Sequence, residues 1–139
     1  MKFLLLHAPQ FDPAPYAAAF AEEQVEVRSI SMPGQLKIGE VPTALVLDAL
    51  SRDRFPVKAL QGFVNAGGAV LVLGEAGETD LPERFPTNLV TAFLSDGYGA
   101  RQFLVALRSS YRESAARSEA VRARSEAASR TKELTELTR

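Results

Sequence analysis

Short apolar runs recur along the first 95 residues of the chain. Residues 2–6, Thr43–Leu47 and Ala69–Leu73 are almost purely apolar, which is typical of parallel strands that are buried on both faces. Residues 25–30 alternate between apolar and polar and predict a strand nearer an edge of the sheet. Residues 88–91 predict a short fifth strand. The pattern therefore predicts five strands.

Helical patterns separate these strands. Asp12 can cap a helix that runs to about Glu22. A second helix is predicted over residues 55–66, and Gly67-Gly68 ends it because glycine enters a left-handed cap without strain. From Gly99 to the end of the chain, neither proline nor glycine interrupts a final helix.

Strands that alternate with helices predict parallel βαβ crossovers. The predicted fold is α/β and flavodoxin-like, with a five-stranded parallel sheet of order 2-1-3-4-5. A long C-terminal helix follows and is expected to extend into a coiled coil. We predict an α/β domain over residues 1–112 and a signalling helix over residues 113–139, which would link to a downstream domain.

Composition and charge exclude several classes of protein. The 139 residues include no cysteine, which excludes thiol catalysis, a cysteine-ligated metal and disulfides. We expect a cytoplasmic protein without a membrane span or signal peptide. Residues 1–100 carry 7 Lys/Arg and 12 Asp/Glu, whereas residues 101–139 carry 9 and 5. Acidic residues interrupt every basic run of the final helix, so nucleic-acid binding is not expected.

Asp48 is the first candidate for a functional residue, because it directly follows the apolar run Thr43–Leu47. In an open α/β sheet, the carboxyl ends of the strands line the ligand crevice. The other strand ends would bring four residues close to Asp48. These expected neighbours are His7, Gly74, Glu75 and Thr91.

Motifs for common ligands are absent from the sequence. It contains no GxGxxG for a dinucleotide, no GxxxxGK[ST] for a nucleotide phosphate and no GxSxG for a serine nucleophile. His7 is the only histidine. We therefore expect no catalytic residue, no resident cofactor and no metal site.

The order of elements resembles the receiver (CheY-like) domain of bacterial response regulators. In that family an aspartate that accepts a phosphoryl group ends the third strand, and Asp48 occupies that place in the segment TALVLDAL. Residues 88–94, followed by residues 100–110, resemble the last strand and helix of the family. The resemblance covers about residues 1–112 and implies a role in two-component signal transduction.

The chain departs from the receiver pattern at three places. His7-Ala8 stand where active receivers have two acidic residues that bind Mg²⁺, and Gly74 stands where they have a hydroxyl residue. At the predicted end of the fifth strand, Ala92-Phe93 replace a lysine that is usually followed by proline. The resemblance therefore implies a degenerate pseudo-receiver, which would need Mg²⁺ only if Asp48 is phosphorylated.

The final helix carries a mostly alanine seam with the 4-3 spacing of a heptad repeat. Such a seam predicts a homodimer, although alanine buries little apolar surface, so the pairing should be weak. Residues 131–139 also resemble linkers that lead into GAF sensor or output domains. The seam comprises Ala116, Ala120, Ala123, Ala127, Leu134 and Leu137.

Three functions remain open at this point. The first is a non-catalytic pseudo-receiver that dimerises and passes a signal through its last helix. The second is a true receiver that is phosphorylated on Asp48. The third is a small-molecule binder, because residues 63–74 resemble the helix–Gly-Gly–strand unit of amidotransferase-like domains; the activity itself would need a cysteine nucleophile, which the chain lacks.

Overall fold

A computed structural model describes residues 2–48, 52–75, 77–78 and 85–137, without the side chains of Asp53 and of residues 130–137. Its centre is one parallel sheet of five strands in the order 2-1-3-4-5, as predicted. The strands are β1 (Phe3–His7), β2 (Val25–Ser29), β3 (Thr43–Leu47), β4 (Ala69–Leu73) and β5 (Ala92–Leu94).

Among the described residues, three α-helices connect or follow the strands. They are α1 (Ala17–Glu22), α2 (Val57–Asn65) and α3 (Ala100–Leu137). Asp12 lies just before a 3-10 turn, Ala14–Tyr16, that precedes α1; its Oδ1 accepts a hydrogen bond from the Ala14 N–H at 3.0 Å, but the cap position itself is taken by Pro13. The first α-helix therefore begins later than predicted, whereas the long C-terminal helix is confirmed.

The sheet is the middle layer of three. On one face, Leu5, Val46 and Leu71 pack against Phe20 of α1 and Phe103 of α3. On the opposite face, the alternate residues of β1, β3 and β4 pack against α2 and neighbouring loops. Because β1, β3 and β4 are buried on both faces, their sequences show no polar alternation.

The turn between α2 and β4 requires both of its glycines. Gly67 has a φ of +116°, a value that side chains with a Cβ disfavour. A Cβ on Gly68 would lie 2.4 Å from the ring of Phe63. The predicted helix stop is therefore confirmed, and it is also a point of close packing.

The predicted bounds of the fifth strand were wrong. Residues Thr87–Leu89 form a 3-10 turn, and β5 covers Ala92–Leu94. Leu89 supplied the apolar signal because it is buried against the α2 side of the sheet. A single buried residue in a turn thus gave the same sequence pattern as a short strand.

Candidate functional site at the carboxyl edge

The structure brings most of the predicted site residues to one edge of the sheet. His7 ends β1, Asp48 follows β3, and Gly74 and Glu75 follow β4. Asp48 is half-buried, whereas Glu75 is exposed. In a parallel sheet these carboxyl ends form the crevice where ligands bind.

Thr91 does not belong to this group. It precedes β5, and its N–H donates to the Val70 carbonyl at 2.8 Å, near the start of β4. Thr91 therefore lies towards the amino edge of the sheet, away from Asp48. The misplaced fifth strand explains this error, and Ser95, not Ala92-Phe93, follows the true end of β5.

The contacts of His7 are those of a structural residue in the core. Its side chain is only 6% exposed, and its Nδ1 donates to the Ala8 carbonyl at 2.8 Å. Its ring lies 5.3 Å from the ring of Phe11. Ala8 is fully buried. The place of the acidic pair of active receivers is therefore closed and largely apolar.

Arg52 also lies at this edge, and the sequence did not mark it as a site residue. Its guanidinium holds Glu78 at two points, through Nη1 to Oε2 at 2.9 Å and through Nη2 to Oε1 at 2.5 Å. Nη2 also donates to the Leu73 carbonyl at 2.6 Å. The hydrogen bond that Arg52 donates to Glu78 is the main cause that raises the pKa of Arg52, and the charges of Glu75 and Asp48 add to it.

The ion pair is largely withdrawn from solvent. The side chain of Arg52 is 10% exposed and that of Glu78 is 18% exposed. The hydrogen bond from Arg52 lowers the pKa of Glu78. No sequence pattern marks this pair, because its partners are 26 residues apart on two loops. The only feature of the sequence that could have indicated Arg52 is its position shortly after Asp48, in the segment that follows β3.

The loops after β4 and β5 are tied to each other. The Gly74 N–H donates to the Leu94 carbonyl at 2.7 Å, and the Asp96 N–H donates to the Glu78 carbonyl at 3.1 Å. A Cβ on Gly74 would lie 3.1 Å from both the Glu78 and the Leu94 carbonyl oxygens. The loops thus crowd the position where active receivers have a hydroxyl side chain.

Tyr98 connects this edge to the start of α3. Burial is the main cause that raises its pKa, and a hydrogen bond with Tyr16 and the charge of Asp48 add to the effect. The neutral phenol is therefore favoured beside the Asp48 carboxylate. Tyr98 lies two residues before α3 begins.

Aromatic rings continue the contact into the core. The ring of Phe103 in α3 lies 4.2 Å from that of Tyr16, 6.4 Å from that of Tyr98 and 6.1 Å from that of Phe11. These distances are typical of favourable aromatic pairs. Through these ring contacts, a movement near Asp48 would be transmitted directly to the first turns of α3.

The residues at this edge do not fit the Mg²⁺ site of active receivers. Mg²⁺ prefers several oxygen ligands in a near-octahedral arrangement. His7 and Ala8 offer no carboxylate at the place where the family has two. Within the described part of the chain, no three His, Cys, Asp or Glu residues are grouped as a metal site.

The opposite, amino edge holds α3 by a second set of contacts. The Ser114 hydroxyl accepts the Thr43 N–H at 2.9 Å and donates to the Gly67 carbonyl at 2.7 Å. Arg117 donates to the Gly68 carbonyl at 2.7 Å, and it also pairs with Glu113. Sequence analysis did not single out Ser114, which is fully buried.

The predicted seam begins among these contacts and continues past them. Ala116, Ala120, Ala123 and Ala127 are exposed in the single chain; the side chains of Leu134 and Leu137 lie outside the described residues. Contacts between α3 and the rest of the domain extend to Arg122, which donates to the Glu40 carbonyl at 3.3 Å. The predicted division at residue 112 stays a prediction.

Within the ranges that the structure covers, no helix combines the length and apolar character that crossing a membrane requires. No protein-family model and no curated protein sequence matches the chain.

Solved structures match the fold at low sequence identity. The response regulator StyR superposes with a TM-score of 0.66 at 14% identity, over 91% of this chain and 67% of StyR. A sensor protein from Polaromonas sp. JS666 gives a TM-score of 0.53 at 14% identity, over 82% of this chain and 99% of the other. These likenesses agree with the strand order and the helix layers. The chain thus has the receiver-like fold of response regulators.

Proposed function

We propose that this chain is a non-catalytic signal-transduction module, a pseudo-receiver that dimerises through α3 and transmits a signal along it. The observation that carries the proposal is the path of α3. This helix starts beside Asp48 and Tyr98 at the carboxyl edge, crosses the sheet, and is fixed again by Ser114 at the amino edge. It then continues to Leu137.

The chemistry of the carboxyl edge supports the non-catalytic part of the proposal. Phosphoryl transfer depends on cations that offset the charge that develops on the phosphoryl oxygens. Arg52, whose pKa the Asp48 charge raises, is already engaged by Glu78 and the Leu73 carbonyl. The family's acidic pair is replaced by His7 and Ala8.

The form of α3 supports the signalling part. Its 38 residues span about 57 Å at 1.5 Å per residue. A polar helix of this length gains stability mainly by packing, and a second copy of itself offers a matching seam. Because an alanine seam buries little apolar area, a small change at its base can alter how two helices pack. The dimer would act within a two-component system, with a GAF or other output domain as a further partner.

A phosphodonor experiment tests the pseudo-receiver assignment. We expect no change in intact mass when the protein is incubated with acetyl phosphate and Mg²⁺, while a conventional receiver treated in parallel gains one phosphoryl group. A gain of one phosphoryl group that Asp48→Asn abolishes would contradict the assignment.

That result would support the second candidate, a true receiver. One observation favours it: the Asp48 carboxylate lies close enough to Arg52 to raise the pKa of the guanidinium. If the ion pair with Glu78 broke, the N–H groups of the Arg52 guanidinium could donate hydrogen bonds to phosphoryl oxygens. Mg²⁺ would then be the expected cofactor.

Sedimentation equilibrium of the full chain tests dimerisation. We expect a concentration-dependent dimer that Ala123→Glu weakens strongly, because the substitution places a charge in the seam. Ser125→Glu is the matched control, since Ser125 is also exposed but lies on another face of the helix. A wild-type protein that stays monomeric up to about millimolar concentration would contradict the dimer.

A further inference from the structure

We infer that two copies of α3 pair in parallel and in register, with Glu119 of each copy bound to Arg124 of the other. This inference rests on the dimer proposed above and adds its orientation. Parallel pairing would place both receiver-like domains at one end and let both chains leave at the other.

The seam is accessible to a second copy. Successive residues are about 100° apart around an α-helix. The buried face of α3 includes Phe103, Leu107 and Ser114. The seam residues Ala120 and Ala127 lie roughly 130° around the helix from that face, and both are exposed. A partner helix can therefore reach the seam without displacing α3 from its own sheet.

The seam spacing assigns a heptad position to every residue of this segment. Ala120 and Ala127 take position a, and Ala116 and Ala123 take position d. The flanking positions e and g carry opposite charges. Position e holds Arg117 and Arg124, and position g holds Glu119 and Glu126.

This distribution of charge discriminates between the two orientations. In a parallel pair, position g of one helix faces position e of the other five residues later, so Glu119 faces Arg124. In an antiparallel pair, g faces g and e faces e. Glutamates would then oppose glutamates and arginines would oppose arginines, which is unfavourable. Glu119 and Arg124 are both exposed in the single chain and available to a partner.

One pair of like charges determines where along α3 the contact between the two helices begins. A parallel register also places Arg112 opposite Arg117. Arg117, however, binds its own domain, through the Gly68 carbonyl at 2.7 Å and through Glu113. The helices should therefore diverge before residue 117 and meet from Glu119 onward, which leaves Ala116 outside the paired part of the seam.

Disulfide trapping tests the orientation in a chain that has no native cysteine. Ala120→Cys and Ala127→Cys each introduce one thiol at position a, and Ser125→Cys is the control on another face. A disulfide needs Cα atoms within about 7 Å. We expect both seam variants to form covalent dimers under mild oxidation and the control to form far less.

An antiparallel pair gives a different result. Positions 120 and 127 are about 10 Å apart along the helix, so two antiparallel copies that meet at one position are separated by about 21 Å at the other. Covalent dimers of only one seam variant would therefore overturn the parallel arrangement while leaving dimerisation intact.

Charge reversal provides an independent measurement by sedimentation equilibrium. Glu119→Arg and Arg124→Glu should each raise the dimer dissociation constant by about tenfold, and the double variant should restore it. Arg122→Glu, at heptad position c away from the seam, is the charge-matched control and should change the dissociation constant little. Tighter association of Glu119→Arg would contradict the parallel pairing, and a monomeric wild type would remove the dimer and its orientation together.

Discussion

The two ends of the sheet hold the long helix by different means. At the carboxyl edge, Tyr98 in the loop before α3 is hydrogen-bonded to Tyr16, and the same loop is joined to the Arg52–Glu78 ion pair by the Asp96 N–H, which donates to the Glu78 carbonyl. At the amino edge, the buried hydroxyl of Ser114 joins α3 to the backbone of Thr43 at the start of β3 and of Gly67 in the turn before β4. The first end is partly solvated, whereas the second is closed.

This difference assigns separate roles to the two edges. Side-chain contacts between loops can exchange partners when the loops shift, since loop residues absorb most of the backbone change in a conformational switch. Buried backbone hydrogen bonds have no such alternative, since a lost partner leaves a desolvated group. We therefore expect the carboxyl edge to respond to signals and the amino edge to act as the fixed point of α3.

The largest expected effect is at the fixed point. Ser114→Ala should lower the free energy of unfolding by about 3 kcal/mol, because the Thr43 N–H and the Gly67 carbonyl both lose their buried partner. Urea denaturation measures the change. Ser118→Ala is the matched control: its hydroxyl is buried and has no hydrogen-bond partner among the described residues, so its removal should not destabilise. Equal losses in both variants would contradict the role of Ser114.

A smaller effect is expected in the turn that Ser114 holds. Gly67→Ala should destabilise by about 2 kcal/mol, because the φ of +116° is unfavourable and a Cβ would lie 3.1 Å from the Cα of Ser118. Gly62→Ala is the control within α2, where a Cβ meets nothing within 4 Å. It should stabilise by about 0.5–1 kcal/mol. Thermal and urea unfolding measure the stability of both variants relative to wild type. A Gly67→Ala variant as stable as wild type would show that this edge is not rigid.

The smallest effect is expected at the carboxyl edge. Glu78→Gln should lower the free energy of unfolding by about 1 kcal/mol at neutral pH, since the charge-assisted hydrogen bonds to Arg52 weaken. The folded pKa of Glu78 is lowered, so its contribution is complete above the usual value of 4.5 and is lost as the pH falls through the lowered pKa.

Wild type and Glu78→Gln should therefore converge in stability as the pH falls below 4.5 and through the lowered pKa of Glu78. The control is Glu26→Gln, which breaks the ion pair with Arg28, whose side chains are 64% and 59% exposed. It should change stability by less than about 0.5 kcal/mol. Urea denaturation between pH 3 and pH 7 measures the free energy of unfolding of wild type and both variants. Differences of about 0.5 kcal/mol must be resolved. A loss above 3 kcal/mol in Glu78→Gln would reverse the contrast between the two edges.

The sequence alone determined the sheet, its order and the long helix. Fully apolar runs such as Thr43–Leu47 can be satisfied only by a strand covered on both faces, and their alternation with helices prescribes parallel crossovers. The position of Asp48 followed from the end of that run. The prediction failed for residues 88–91, where an isolated buried residue, Leu89, gave the same local signal as a strand.

Only the tertiary structure revealed which groups surround Asp48 and where α3 is fixed. Arg52 meets Glu78 across 26 residues, and Ser114 meets Thr43 across 71. Such contacts depend on how loops from different strands converge, and no local pattern of polarity encodes that convergence. Apolar periodicity reports burial one element at a time, whereas hydrogen-bond partners are set by the packing of all elements together.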